Sequence, residues 1–193
     1  MKTNQPIRWG ILACGGIARK FADDLAHAKN GHLAAVSSRD ISRAQEFASH
    51  YDASVKAYGS YEEMLSSGEI DVVYIASPHG LHYEHTMLCL DAGIPVLCEK
   101  AFAINSKQVS AMIQKAREKN LFLMEALWTR FHPSIAKLQE IIASGAIGEI
   151  KHVVADFGFK AAYDEEARWF NPHLTGGSLL DIGIYPLFIS KLL

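Results

Sequence analysis

Cysteine is scarce in this chain, and no surplus of positive charge or long apolar run is present. Three cysteines in 193 residues, Cys14, Cys89 and Cys98, make an odd number without C-x-x-C spacing. That argues against a disulfide framework and against a zinc site, and it fits a reducing cytoplasm. Nineteen Lys and Arg face twenty-one Asp and Glu, for a net charge of −2; with no basic stripe to track phosphates, nucleic acid is not expected as a partner. No apolar stretch approaches the roughly 20 residues that a membrane span needs, so no membrane partner is expected. Ile11-Leu12-Ala13-Cys14 faintly resembles a lipoprotein cleavage site, but Arg8 interrupts the apolar region that such a signal requires. Low-complexity segments, Pro/Ser/Gly-rich linkers and internal repeats are also missing. What remains, at 49% hydrophobic residues, is a globular composition with enough apolar mass for a sizeable core.

The most informative stretch is Trp9 to Ala18, an apolar strand that runs into a glycine pair and then a helix. Gly15 and Gly16 can accept positive φ and let a diphosphate approach, while the following helix aims unpaired N–H groups at it. The dinucleotide fingerprint G-x-G-x-x-G/A is met as Ala13-Cys14-Gly15-Gly16-Ile17-Ala18, with alanine in the first glycine slot. An ordinary strand-to-helix turn is the alternative for these residues taken alone.

Downstream, short apolar runs alternate with amphipathic ones, the pattern of an α/β, Rossmann-type doubly wound parallel sheet. Strands are predicted at Ile7 to Ala13, Leu33 to Ser37, Val72 to Ala76, Pro95 to Cys98 and Leu121 to Met124. Ala44, Phe47, Ala48 and Tyr51 share one helix face, as do Val109, Met112, Ile113 and Ala116. Ser60-x-x-Glu63 has capping-box form, and Asn105 or Ser106 can cap the helix that carries Val109.

After Met124 the character changes. A helix is predicted from about His132 to Ser144, a turn at Gly145 to Gly148, a strand from Ile150 to Phe157, then a polar loop to Gly176-Gly177. Two domains are expected, 1–125 binding a dinucleotide and 126–193 beginning a second one. The last segment, Ser178 to Leu193, is so apolar that a helix there should be buried on most of its circumference.

Chemistry-bearing residues cluster at predicted strand ends, where doubly wound sheets hold their ligands. After the second strand, Ser38, Arg39 and Arg43 stand where the adenosine ribose is read; arginine there suits the 2′-phosphate of NADP, with NAD as the alternative. Each charge-assisted bond would contribute roughly 1.5 to 3 kcal/mol, unless Asp40 engages one of the guanidinium groups. Ser77 and the amides after Pro78 can meet the cofactor at the end of another strand. His79, His82 and His85 spread around a helix and lack a fourth ligand type, so no metal is expected. Glu99-Lys100-Ala101 closes the next strand.

These residues together resemble the glucose-fructose oxidoreductase and inositol dehydrogenase family of NAD(P)-dependent enzymes. The resemblance rests on Gly10 to Ala18, Ser77-Pro78-x-x-x-His82, Asp91 to Lys100 and Gly177-x-x-x-Asp181-x-Gly183-x-Tyr185. Glu125-Ala126-Leu127-Trp128-Thr129-Arg130-Phe131, with Tyr185, is similar to the dimeric dihydrodiol dehydrogenase branch. The resemblance implies Lys100 as catalytic lysine, Asp181 as a substrate-orienting carboxylate and Tyr185 as acid/base. It implies cofactor contacts from Gly10, Ala13, Cys14, Gly15, Gly16, Ile17, Ser77, Pro78, His82, Glu99 and Lys100, with Trp128 and Arg130 walling the nicotinamide and substrate pocket. Trp128, Phe157, Phe159, Asp181 and Tyr185 would meet a sugar, cyclic polyol or dihydrodiol. Asp181 and Tyr185, at i and i+4, would share one helix face.

Where the family has Glu-Lys-Pro this chain has Glu99-Lys100-Ala101, and with proline gone a trans peptide is expected. Relatives continue through a large open-faced sheet that often forms their dimer, so the resemblance implies that 126–193 is the first part of such an α+β domain and that the chain is truncated. The resulting expectation is an NADP-dependent oxidoreductase acting on a secondary alcohol. The alternative is a truncated, non-catalytic member that binds nucleotide as a redox-sensing or partner-binding module.

Overall fold

A computed structural model describes residues 5–193; the first four residues of the expected 1–125 domain lie outside the described residues. Two compact units meet between Glu125 and Ala126. The first is a six-stranded sheet, β1 (Ile7–Leu12), β2 (Gly31–Ser37), β3 (Lys56–Tyr58), β4 (Val72–Ile75), β5 (Val96–Cys98) and β6 (Leu123–Glu125). Its order is β3-β2-β1-β4-β5-β6, and every pairing is parallel. The helices of this unit are α1 (Gly16–Leu25), α2 (Ile41–Ala48), α3 (Tyr61–Ser66), α4 (His82–Asp91) and α5 (Ser106–Glu118).

Local sequence accounts for most of these elements. Asp40 caps α2 by accepting from the Ser42 amide, Ser60 caps α3 by accepting from the Glu63 amide, and Asn105, not Ser106, caps α5 by accepting from the Gln108 amide. Of the predicted helix faces, Ala44 and Phe47 of α2 and Met112 and Ala116 of α5 are buried, while Tyr51 lies beyond the end of α2 and Ile113 is exposed. β4 is buried at all four positions, as a central parallel strand covered on both sides requires. An aromatic stack joins α1 to the sheet: Phe21 lies parallel to Tyr74 with centroids 3.8 Å apart and meets the edge of Trp9 at 5.2 Å.

The strands differ from the sequence reading by more than one residue in three places, the first being that β2 begins at Gly31, two residues before Leu33. β3 was not expected; it is a three-residue edge strand, too short and too polar at Lys56 to show an apolar run. β6 begins two residues later than predicted, because Leu121 instead closes the turn after α5 through its amide to the Ala116 carbonyl.

The second unit carries a 3-10 turn at Trp128–Phe131, α6 (Pro133–Ala143), a 3-10 turn at Pro172–Leu174, a π-helix at Leu179–Gly183 and α7 (Ile184–Leu192). The strand predicted from Ile150 to Phe157 is corrected: this stretch pairs with no strand among the described residues. A lone strand leaves its N–H and C=O groups without a ladder partner, and three or more strands are normally needed for a stable sheet. The single helix predicted from Ser178 is corrected as well. It starts as a π-helix, and Pro186, which has no N–H, cannot make the i to i−4 bond that would continue an α-register across the junction. The expected burial is also not found, since no residue of α7 is buried and Leu179 and Leu187 are 66% and 57% exposed.

Gly10 shows how tightly the sheet packs. A Cβ there would stand 3.0 Å from Ile70 Cδ1 and 3.3 Å from Met64 Sδ, and both neighbours are core residues with no route to solvent. Gly10→Ala is therefore expected to cost about 1 to 3 kcal/mol, read as a lower urea midpoint with unchanged slope. An unchanged midpoint would show that the core has slack at this point.

Candidate functional site

The first part of the site is the turn between β1 and α1. Ala13 takes φ of 76°, the left-handed region that favours glycine, so alanine adopts here the conformation expected of the glycine it replaces. Its amide is held by the Ser37 carbonyl at 3.0 Å. Ideal Cβ atoms at Gly15 and Gly16 would meet nothing within 4 Å, and no side chain caps the N-terminus of α1. Gly15, Gly16 and Ile17 are exposed and Cys14 is half-buried. Burial pushes the Cys14 thiol up to about 11, against the Arg43 charge, so it stays protonated. Gly10 is corrected from a cofactor contact to a packing residue, being buried inside β1 with Ile70 and Met64 against it.

The end of β2 supplies the second part. Ser38 is buried, with its amide on the Tyr58 carbonyl, while Arg39 and Arg43 are exposed. Asp40 directs a carboxylate oxygen to the Ser42 amide and hydroxyl, at 2.9 and 2.7 Å, so its acceptors serve the α2 cap. Arg39 borders an open cleft of about 730 Å³ that Ser60, Tyr61, Leu81, Glu84 and His85 also line.

The ends of β4, β5 and β6 are tied together by buried polar groups. His82, 1% exposed, places Nδ1 2.7 Å from the Ala101 carbonyl and Nε2 2.8 Å from the Ser77 carbonyl. Burial pushes its imidazole down to about 4 against the pull of those carbonyls, with His79 and His85 pushing it further down. At neutral pH the ring thus holds one N–H. Ser77 Oγ is engaged by His85 Nδ1 at 2.9 Å. His82 is corrected from a cofactor contact to a brace between two loops, and the Ser77 side chain belongs to the same scaffold. Pro78 is exposed.

Around the half-buried Lys100, Tyr74 donates its hydroxyl to Glu99 Oε1 at 2.5 Å and the Lys100 amide donates to Glu99 Oε2 at 3.2 Å. The Phe102 amide donates to Glu125 Oε1 at 2.9 Å. Burial raises the Glu125 carboxyl, the Phe102 amide offsets this, and Glu99 adds to it. The expected trans peptide is corrected: Lys100–Ala101 is cis, in a loop whose flanking carbonyl and amides are held by His82, Glu99 and Glu125.

In the second unit the structure brings several predicted residues together. Trp128 is 59% exposed, so it is not a core residue, and its indole N–H donates to the Tyr185 hydroxyl at 3.1 Å. Phe157 meets the edge of Tyr185 at 5.4 Å and lies 6.5 Å from Phe159. Asp181, 5% exposed, pairs with Arg168 Nη2 at 3.1 Å, and Arg168 lies over the Trp169 ring at 4.7 Å. Asp181 lies in the π-turn and Tyr185 in the second position of α7. Arg130 is exposed.

A family profile described as an oxidoreductase family with an NAD-binding Rossmann fold matches residues 7–127. The chain belongs to the GFO/IDH/MocA family. The C-terminal domain description of this family matches residues 135–193. Among curated members, D-xylose 1-dehydrogenase (NADP(+)) of Hypocrea jecorina is 40% identical over 200 residues, covering 94% of this chain and 51% of that protein. Trans-1,2-dihydrobenzene-1,2-diol dehydrogenase of Mus musculus is 42% identical over 181 residues, covering 93% and 54%. The crystal structure of KijD10, a 3-ketoreductase from Actinomadura kijaniata in complex with NADP and TDP-benzene, superposes with a TM-score of 0.89 at 31% identity, covering 97% of this chain and 57% of that one. The chain spans about half the length of the curated relatives it matches.

Sequence reasoning assigned no role to Glu125, Arg168 or Tyr74. Glu125 stood inside the quoted motif, while Arg168 lay in a polar loop with no pattern to single it out.

The buried imidazole has a measurable consequence. A histidine depressed in the folded state lets the unfolded chain take up the proton first, so its contribution is complete above the unfolded value of 6.5 and is lost as pH falls toward about 4. That is worth roughly 3 kcal/mol. Urea titrations from pH 7 to pH 4 should show this loss in the native chain and a shallower one in His82→Asn; equal pH dependence would contradict the assignment.

Proposed function

We propose that this chain is the cofactor-binding and catalytic-residue-bearing part of an NADP-dependent oxidoreductase that acts on a secondary alcohol of a sugar, cyclic polyol or trans-dihydrodiol. The observation that carries the reading is the Ala13 to Gly16 turn. Both glycines stand open, no side chain competes for the α1 N-terminus, and two arginines are exposed at the neighbouring strand end. A diphosphate fits such a cradle because helix N-termini present unpaired amides to anions. Membership of an oxidoreductase family and the dehydrogenase names of its relatives support the same reading.

A nicotinamide dinucleotide bound there would supply the two-electron acceptor for the alcohol carbon. The amides of Cys14, Gly15, Gly16 and Ile17 would hold the diphosphate. Arg39 and Arg43, with Ser38 beside them, would meet the 2′-phosphate as guanidinium donors suited to that geometry. Pro78, Glu99 and Lys100 would border the nicotinamide side.

For the substrate, Tyr185 would take the hydroxyl proton. An indole N–H can only donate, so Trp128 offers a donor to negative charge on the Tyr185 oxygen. Lys100 keeps the catalytic role that the family resemblance implies, and a cation of this kind is what a phenol needs to act as a base near neutrality. Asp181, fixed by Arg168, would orient a substrate hydroxyl. Phe157 and Phe159 would give apolar ring faces for a cyclic substrate. The three free thiols suit a cytoplasmic setting.

A second reading is nucleotide binding without turnover in a partner-binding module, and the exposed Leu179 and Leu187 favour it. Fluorescence titration with NADPH and NADH should show NADPH bound about tenfold or more tightly, with the difference removed in Arg39→Ala/Arg43→Ala. No binding of either nucleotide would overturn both readings. Reduction of NADP with a panel of sugars and cyclic diols, lost in Lys100→Ala and in Tyr185→Phe, is expected for the enzyme; binding with no turnover on the panel supports the module.

A further inference from the structure

The peptide between Ala101 and Phe102 is gripped at both edges. Its carbonyl faces His82 Nδ1 at 2.7 Å and its amide donates to Glu125 Oε1 at 2.9 Å. The C=O and N–H of a trans peptide point in opposite directions, so the plane cannot rotate without breaking both bonds. The two side chains come from fixed places. His82 is the first residue of α4 and Glu125 the last of β6, and Glu125 stands in register with Cys98 at the end of β5. The ring carries one N–H at neutral pH and so donates to one carbonyl only; with that proton on Nδ1, Nε2 lies 2.8 Å from the Ser77 carbonyl without donating to it.

Lys100 lies one residue before this gripped peptide, on a loop that has no regular structure between β5 and α5. A lysine needed at a defined place cannot depend on a free loop, because misplacement by about 1 Å can cost a hundredfold in rate. We propose that His82 and Glu125 are positioning residues for Lys100, holding the carbonyl and the amide of the Ala101–Phe102 peptide. The proposal rests on the reading that Lys100 works at the site, but its geometry is separable from that reading. Neither residue touches cofactor or substrate in this role.

Amide replacements distinguish the role from general packing. Asparagine at position 82 can place its side-chain donor where Nδ1 stands and so keep the Ala101 bond. Glutamine reaches to the Nε2 position and would donate to the Ser77 carbonyl instead. At position 125, Glu125→Gln retains an acceptor for the Phe102 amide and Glu125→Ala does not. We expect NADPH affinity within about twofold of the native chain for His82→Asn and Glu125→Gln, and about tenfold weaker for His82→Gln and Glu125→Ala.

The readout independent of cofactor is the ¹³C resonance of reductively methylated Lys100, assigned by its loss in Lys100→Arg. It should keep its position in the first pair and move in the second. A resonance unchanged in all four variants, or His82→Asn and His82→Gln behaving alike, would overturn the proposal. If NADPH fails to bind the native chain, the functional reading falls while the Lys100 resonance still decides this one. Should variants fold poorly, hydrogen exchange in the native chain serves in their place: the Phe102 amide is expected to be strongly protected, and fast exchange would contradict the grip.

Discussion

Parallel pairing of β1 with β2 on one side and β4 on the other is the constraint on which the remaining structure depends. Because every strand runs the same way, all six carboxyl ends open on one edge, and the chain reverses its direction of travel across the sheet between β1 and β4. Right-handed crossovers then send the helices before and after that reversal to opposite faces, which opens a crevice at the exit of β1. The Ala13 to Gly16 turn occupies that exit, and the arginines that follow β2 stand beside it. Nothing about the glycine pair alone would create this arrangement; the strand order does.

A second layer of organisation lies beneath the strand ends. Tyr74 uses its ring against Phe21 of α1 and its hydroxyl on Glu99, so the helix that begins at the diphosphate turn and the loop that carries Lys100 share a support. His82 faces the Ala101 carbonyl, His85 engages the hydroxyl of Ser77, and Glu125 holds the Phe102 amide. Buried polar groups of this kind are costly unless partnered. Here the partners are mostly backbone atoms of loops that have no ladder of their own, so side chains that look like ligand donors in sequence serve as structure.

That distinction marks what could be read in advance. Five of the six strands, the buried Ala44 and Phe47 of α2 and Met112 and Ala116 of α5, and the caps at Ser60 and Asn105 follow from period and local side-chain chemistry, which act over a few residues; Asp40, weighed as an arginine's partner, caps α2 instead. β3 escaped because a three-residue edge strand has no apolar signature. Gly10 and His82 were expected to touch cofactor because they stand in motifs that surround it, yet a motif does not say which way a residue faces. Gly10 faces Met64 and Ile70, and His82 faces two carbonyls. The π-turn before α7 could have been anticipated from Pro186. The grouping of Trp128, Tyr185 and Phe157 was legible only through the family resemblance, since long-range contacts in an irregular unit leave no periodic trace.

Members of the GFO/IDH/MocA family that match this chain are about twice its length. The central claim, however, concerns the first unit alone: an NADP diphosphate lies over the turn at the head of α1. Amide ¹H–¹⁵N spectra recorded during titration with NADP test it most directly. The account predicts the largest shifts at Cys14, Gly15, Gly16 and Ile17, with Arg39 and Arg43 following at the same ligand concentrations. Saturating NADP that leaves those four amides unmoved would contradict it.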